Sequence, residues 1–372
     1  MNRMKRLRRA WLLLLIPASF ALTFLARSDA GFAEWYASGG LYTAISRFGN
    51  RLSGLVPFSA AEIFVYVFSA ALIFFFLRLI FRLFRRKGQR AVILFRFLLN
   101  LACVGSVLLF SYVLSCGINY SRRTFAETGG LPVRPSSAEE LRVLCASLAD
   151  DAGRYREGLP EDQKSVMKLK TSFSETAREA QKSYDSLEKD YPLLRSGYGP
   201  PKPVFFSRAM SMGNITGMFF PFTFEANVNT DIPDYTIPAT MCHELSHLRG
   251  FMREDEANFL SYLACRKSGD RAFRYSGTML AFAYASDALF SSDKSAADTV
   301  YSRLSAGVRR DLAANYAYWK QFEGPVAEAS NSVNDRYLKA NHQKEGVKSY
   351  GRMVDLLLAL QRKEKKTSTS TD

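Results

Sequence analysis

The chain has 372 residues, 48% of them hydrophobic, with 50 Lys and Arg against 35 Asp and Glu, a formal charge of +15. That apolar content excludes a disordered chain. The placement of charge argues against a nucleic-acid-binding domain: residues 1–123 hold 17 basic and three acidic residues, residues 124–372 hold 33 and 32, and the excess flanks the most apolar third. This is the pattern of a membrane region with basic borders.

Three apolar stretches follow in that third. Ala10–Ala26, Ile63–Leu77 and Phe97–Ser121 carry no charge, and the second reaches back to Val56 if Glu62 sits at the interface. A helix needs ~20 such residues to cross a bilayer, so membrane helices are expected at about 10–26, 58–80 and 96–119. Pro17 is placed to kink the first. A signal peptide is the alternative there, but Arg27 and Asp29 make a poor cleavage region and a retained helix is expected. Basic residues cluster before the first stretch (Arg3 to Arg9) and between the second and third (Arg78 to Arg90). Both clusters should be cytoplasmic, which places the 27–57 loop and everything after Ser121 outside, with Arg122 and Arg123 as weak opposition. The expected location is therefore the cell membrane, multi-pass, with an extracytoplasmic domain in contact with the lipid bilayer.

Residues 124–362 read as one mostly helical domain of α+β class. Ser137-x-x-Glu140 is a capping box ahead of an apolar periodic stretch. Phe173, Ala177, Ala180, Tyr184 and Leu187 mark a second amphipathic helix. Val204–Phe206 and roughly Met218–Val228 are the strand candidates, and the pattern is helical again from Pro238 to about Leu360. The polar tail 363–372 is expected to be disordered. Cys242 and Cys265 are more plausible as buried thiols than as a bridge.

The chain has three histidines, and two form His243-Glu244-Leu245-Ser246-His247, an HExxH motif whose chance expectation is on the order of 10⁻³. On a helix, i and i+4 lie ~40° apart, so both imidazoles reach one ion. Glu244 is then placed to act as general base on a zinc-activated water. A catalytic zinc needs a third protein ligand. Gly250 can end the motif helix in a left-handed cap, and a new helix near Phe251–Arg253 would put Glu254 and Asn258 on one face. Glu254 is the expected third ligand, Glu256 and Asp255 the alternatives, and Asn258 would accept from the second ring nitrogen of His243. Phe222–Asn229 is the candidate sheet edge for an extended peptide. Tyr350 is the favoured oxyanion donor, ahead of Tyr262 and Arg352. His342, in a polar run, reads as a surface histidine.

Glu254-x-x-Ala257-Asn258 after HExxH resembles the ExxA[D/N] element of gluzincin-type metallopeptidases, which implies Glu254 as zinc ligand, although six residues is a short spacer after His247. From about Tyr198 to Cys265 the chain is similar to a bacterial membrane family called domain of unknown function 3810. Phe224-Glu225-Ala226-Asn227, Cys242–His247, Arg253–Phe259 and Ser349-Tyr350-Gly351-Arg352 carry that likeness. It implies a zincin-like fold with a small sheet behind three membrane helices. The expectation is a membrane-anchored zinc metallopeptidase acting on a peptide or protein substrate; a non-catalytic zinc-binding sensor or scaffold is the alternative.

Overall fold

The computed structural model describes residues 9–38, 40–341, 343 and 352–369. A 3-10 turn over Ala10–Leu14 leads into helix α1 (Leu15–Ser28), and α4 (Ala60–Arg85) and α5 (Arg90–Ser115) form a hairpin beside it. Among the described residues three segments are long and apolar enough to cross a membrane: Ala10–Ser28, Ala60–Arg85 and Lys87–Ser115. Pro17 is the third residue of α1, where the 3-10 turn has just given way to α-helix. The second helix runs past the expected residue 80, with Arg82 and Arg85 against the negative end of its dipole. The third stops at Ser115 instead of 119, because Gly117–Ser121 tightens into a 3-10 turn.

Residues 30–57, expected as an outer loop, form α2 (Ala30–Ser38) and α3 (Leu41–Ser53) and join the core of the following domain. Tyr36 and Tyr42 are fully buried. Tyr36 donates to the Leu114 carbonyl (2.6 Å) and Tyr42 to the Leu248 carbonyl (3.2 Å). Arg122 is buried, pairs with Glu34 (3.0 Å), donates to the Gly250 carbonyl (3.2 Å) and lies over the Phe251 ring. Its charge is thus engaged within the fold. The expected boundary at residue 123 is thus crossed by buried contacts. A chain beginning at Thr124 is expected to lack a fixed core, and a native-like near-ultraviolet circular dichroism spectrum from it would refute this.

Capping boxes at Thr124/Glu127, Ser137/Glu140 and Ser172/Glu175 open α6 (Phe125–Thr128), α7 (Ala138–Arg156) and α8 (Phe173–Leu187). Next come β1 (Lys202–Pro203), α9 (Ser207–Met212), β2 (Gly217–Phe220), β3 (Glu225–Val228), α10 (Ile237–Leu248) and α11 (Glu254–Lys267). Five helices complete the chain: α12 (Arg271–Ser292), α13 (Lys294–Ser302), α14 (Ala306–Lys320), α15 (Pro325–Ala340) and α16 (Met353–Thr369). The tail expected to be disordered from 363 is helical to Thr369. Glu364 pairs with Arg266 (2.7 Å) and Arg362 with Glu140 (2.7 Å), which holds the last turns against the domain.

The sheet has order β1-β3-β2, with β1 parallel and β2 antiparallel to β3. The first strand forms at Lys202–Pro203, ahead of the expected Val204–Phe206. The expected long strand breaks into a β2–β3 hairpin, with Phe224 at a left-handed φ of 53°. Phe222–Asn229 is therefore no edge: β3 is paired on both sides, and β2 is an edge strand. Periodicity shows that a segment is a strand but not which strands flank it. Cys242 and Cys265 are buried free thiols.

Candidate metal centre

Helix α10 runs through the core against α8, α11, α12 and β3. Of its twelve residues only His243 is not fully buried, so the centre opens there. Pro238 sits in its first turn. Its C-terminus is a Schellman motif: Phe251 N–H bonds the Ser246 carbonyl, Gly250 N–H bonds the His247 carbonyl, and Gly250 has φ 86°. A Cβ at Gly250 would stand 3.0 Å from the Tyr42 ring. The chain reverses there, and α11 begins with Glu254 as its first residue.

That reversal brings His243, His247 and Glu254 together, with one ligand atom from each within 4.8 Å of the others. The Nε2 atoms of the two histidines are 3.0 Å apart, and Glu254 Oε2 lies 3.2 and 3.6 Å from them. Each Nδ1 already has an acceptor: Asn258 Oδ1 at 2.8 Å for His243 and the Phe251 carbonyl at 2.8 Å for His247. Asn258 is oriented in turn by its Nδ2 donating to Tyr284 Oη (3.2 Å). Both Nδ1 atoms are engaged outward, so the two Nε2 atoms and a carboxylate turn inward and face one another. Such a set calls for positive charge, and its N2O composition suits zinc. The electrostatics agree. Burial pulls the His247 pKa down, yet the Glu254 carboxylate more than reverses this and lifts it to about 9. Burial likewise raises Glu254, but the two histidines hold it well below the usual carboxylate range.

The two alternative ligands are turned away. Glu256 accepts from Phe125 N–H (2.7 Å) and Arg253 (3.0 Å). Asp255 faces Arg352 (3.6 Å), and burial pushes its carboxyl up to about 6. Tyr262 is partly buried against the core, and burial raises the pKa of its hydroxyl. Tyr350 and His342 lie outside the described residues.

Glu244 is buried with Oε2 lacking any partner. Burial raises its pKa, against the pull of both histidines and of the Phe219 N–H directed at it. Its carboxylate lies under β2. The bond from Asn229 N–H to the Thr216 carbonyl sets the hairpin register, so the main-chain groups of Gly217 and Phe219 point to the free edge, away from β3. A Cβ at Gly217 would stand 2.5 Å from Glu244 Oε1. Gly217→Ala is thus expected to push Glu244 aside, lowering any Glu244-dependent rate roughly tenfold or more while metal content stays unchanged. Turnover and metal content measured on the same preparation check it, and wild-type turnover would refute it. Gly217, Phe219, Tyr284 and the Phe251 carbonyl had no local signal in the sequence, because each acts through a long-range contact.

The fold and site define a class: a mostly helical chain with three helices able to cross a membrane and a His2Glu cluster on two successive helices of its core. Residues 36–358 match the family described as "Protein of unknown function (DUF3810)", and the chain belongs to it. No curated protein and no solved structure matches the chain.

Proposed function

We propose that this chain is a membrane-anchored zinc metallopeptidase with a zincin-like domain on the outer side of the cell membrane. The convergence of His243, His247 and Glu254 on one point, with both Nδ1 atoms engaged outward, carries this reading. Zn2+ held by these three residues would supply Lewis acidity toward water and toward a substrate carbonyl. Asn258 and Phe251 fix both imidazoles with Nε2 inward. Glu244, poorly solvated and with one oxygen uncommitted, takes the proton from the attacking water and returns it to the leaving amine. The outer edge of β2, at the Gly217 main chain and the Phe219 carbonyl, pairs with an extended peptide and lays it over Glu244. The basic clusters at Arg3–Arg9 and Arg78–Arg90 support the outward orientation.

The test uses the full chain. Stoichiometric zinc is expected in the wild type and its loss in His243→Ala, together with cleavage within a peptide library. Wild type without zinc would sink the metal assignment. A library left uncut by the zinc-loaded protein would leave the sensor or scaffold reading in its place.

A further inference from the structure

Helix α3 is amphipathic with its faces reversed. Its buried side is polar: Ser46 bonds Tyr198 Oη (2.8 Å), and Asn50 donates to the Phe224 carbonyl (2.8 Å) and accepts from Gly199 N–H (2.7 Å). Its outer side is mostly apolar, with Phe48 72% and Leu52 60% exposed and Arg51 the one charge beside them, and Leu55, just beyond it, is 79% exposed. In water such a face is costly. Only residues 54–59 separate α3 from α4, so that face borders the outer end of a candidate membrane span.

A second surface meets the same border. Residues 203–224 hold six phenylalanines, three methionines and a single charge, Arg208. The main-chain N–H groups of Phe205 and Phe206 both bond the Glu62 carboxylate in the first turn of α4 (2.8 and 2.9 Å). The Phe206 ring stands edge-on to Tyr66 at 5.7 Å, and Phe220 and Phe222 pack on Phe64 at 5.6 and 6.0 Å. Phe205 is 86% exposed. Glu62 precedes Arg78 and Arg82 by 16 and 20 residues, which at 1.5 Å per residue is about 24–30 Å, the thickness of a hydrocarbon core. Tyr66 then lies ~6 Å inside the border, and Phe206 reaches its depth.

We propose that α3 and the Phe205–Phe206 tip rest in the outer leaflet, on either side of the β2–β3 hairpin, and hold the candidate centre at the lipid surface. The lipid contact stands by itself. Its consequence rests on the peptidase reading: the substrates are polypeptides anchored in the same membrane, presented to β2 as extended juxtamembrane segments. Continuity with the lipid-facing side of α4 selects lipid over a protein partner, because the tip packs on Tyr66 and the β2–β3 hairpin on Phe64, two rings within the span.

The experiment places a nitroxide at Phe48→Cys and at Phe205→Cys in the full chain, in phosphatidylcholine/phosphatidylglycerol nanodiscs. The five native cysteines are buried and compete little for the label. Collision with oxygen is expected to exceed collision with a water-soluble nickel chelate at both sites, as at Val67→Cys within α4. Exposed Glu139→Cys should show the reverse. Water-like accessibility at Phe48 and Phe205 would overturn the lipid contact. In the second arm, Phe205→Ser/Phe206→Ser is assayed on one peptide sequence, free and fused to a membrane anchor. A roughly tenfold loss on the anchored form alone is expected, since tenfold is ~1.4 kcal/mol and one buried phenyl ring is worth more. Equal loss on both forms, or no preference of the wild type for the anchored one, would overturn the substrate class. Lipid-like depth with neither form cleaved would sink the peptidase reading and leave the membrane contact standing.

Discussion

Glu244→Gln is expected to keep stoichiometric metal and to lose peptide hydrolysis by about 10²–10⁴-fold, the usual contribution of a general base. The substitution preserves side-chain volume under Gly217, where a Cβ has no room. It leaves the Nδ1 bonds of His243 and His247 and the approach of Glu254 untouched. Only the capacity to take a proton is removed. The same change should leave the thermal midpoint equal or higher, because a buried carboxylate with an unpartnered oxygen becomes a neutral amide. Metal analysis, turnover and a melting curve on one preparation check all three. Wild-type turnover would remove Glu244 from the chemistry, and loss of metal would make it a ligand.

Glu225→Ala is expected to cost about 3–5 kcal/mol of stability, as removal of one partner from a buried ion pair does. Glu225 is 1% exposed and pairs with Lys202, itself buried. Its two oxygens also accept from Ala60 N–H (3.1 Å) and Ala61 N–H (2.7 Å), the first two helical residues of α4. One carboxylate therefore neutralises a buried lysine and caps a candidate membrane helix at the positive end of its dipole. Alanine strands Lys202 and leaves both N–H groups without an acceptor. Glu225→Gln keeps an acceptor but not the charge and should fall between. Denaturant midpoints of the detergent-solubilised full chain check the order. A shift below ~1 kcal/mol for alanine would show that water replaces the pair at little cost. Because β3 also touches α10, affinity of the proposed centre for zinc should fall along with stability in the alanine variant.

How much of this was legible beforehand depends on the range of each interaction. The HExxH spacing was readable because i and i+4 meet on any helix. The turn at Gly250 and a new helix soon after it were readable because a left-handed cap is a local backbone requirement, although that helix starts at Glu254, just after the expected Phe251–Arg253. Asn258 followed from the same periodicity. The choice among Glu254, Glu256 and Asp255 was open in spacing alone. It is separated in space by Phe125 N–H, which engages Glu256, and by Arg352, which faces Asp255. The position of β3 was misjudged because strand neighbours are set by the whole chain path.

The sequence by itself determined the three apolar helices, the mostly helical character of the rest and the ligand spacing, since each depends on residues within a few turns of one another. Tertiary structure decided that residues 30–57 belong to the core, that Glu225 and Lys202 bolt the sheet to α4, and that Glu244 is enclosed beneath Gly217. It also decided the sign of α3. The helical period shows that a polar and an apolar face exist, but only the neighbours show which is buried, and here the apolar one is left outward. A pattern along the chain encodes faces, and burial is a property of what packs against them from far away in the chain.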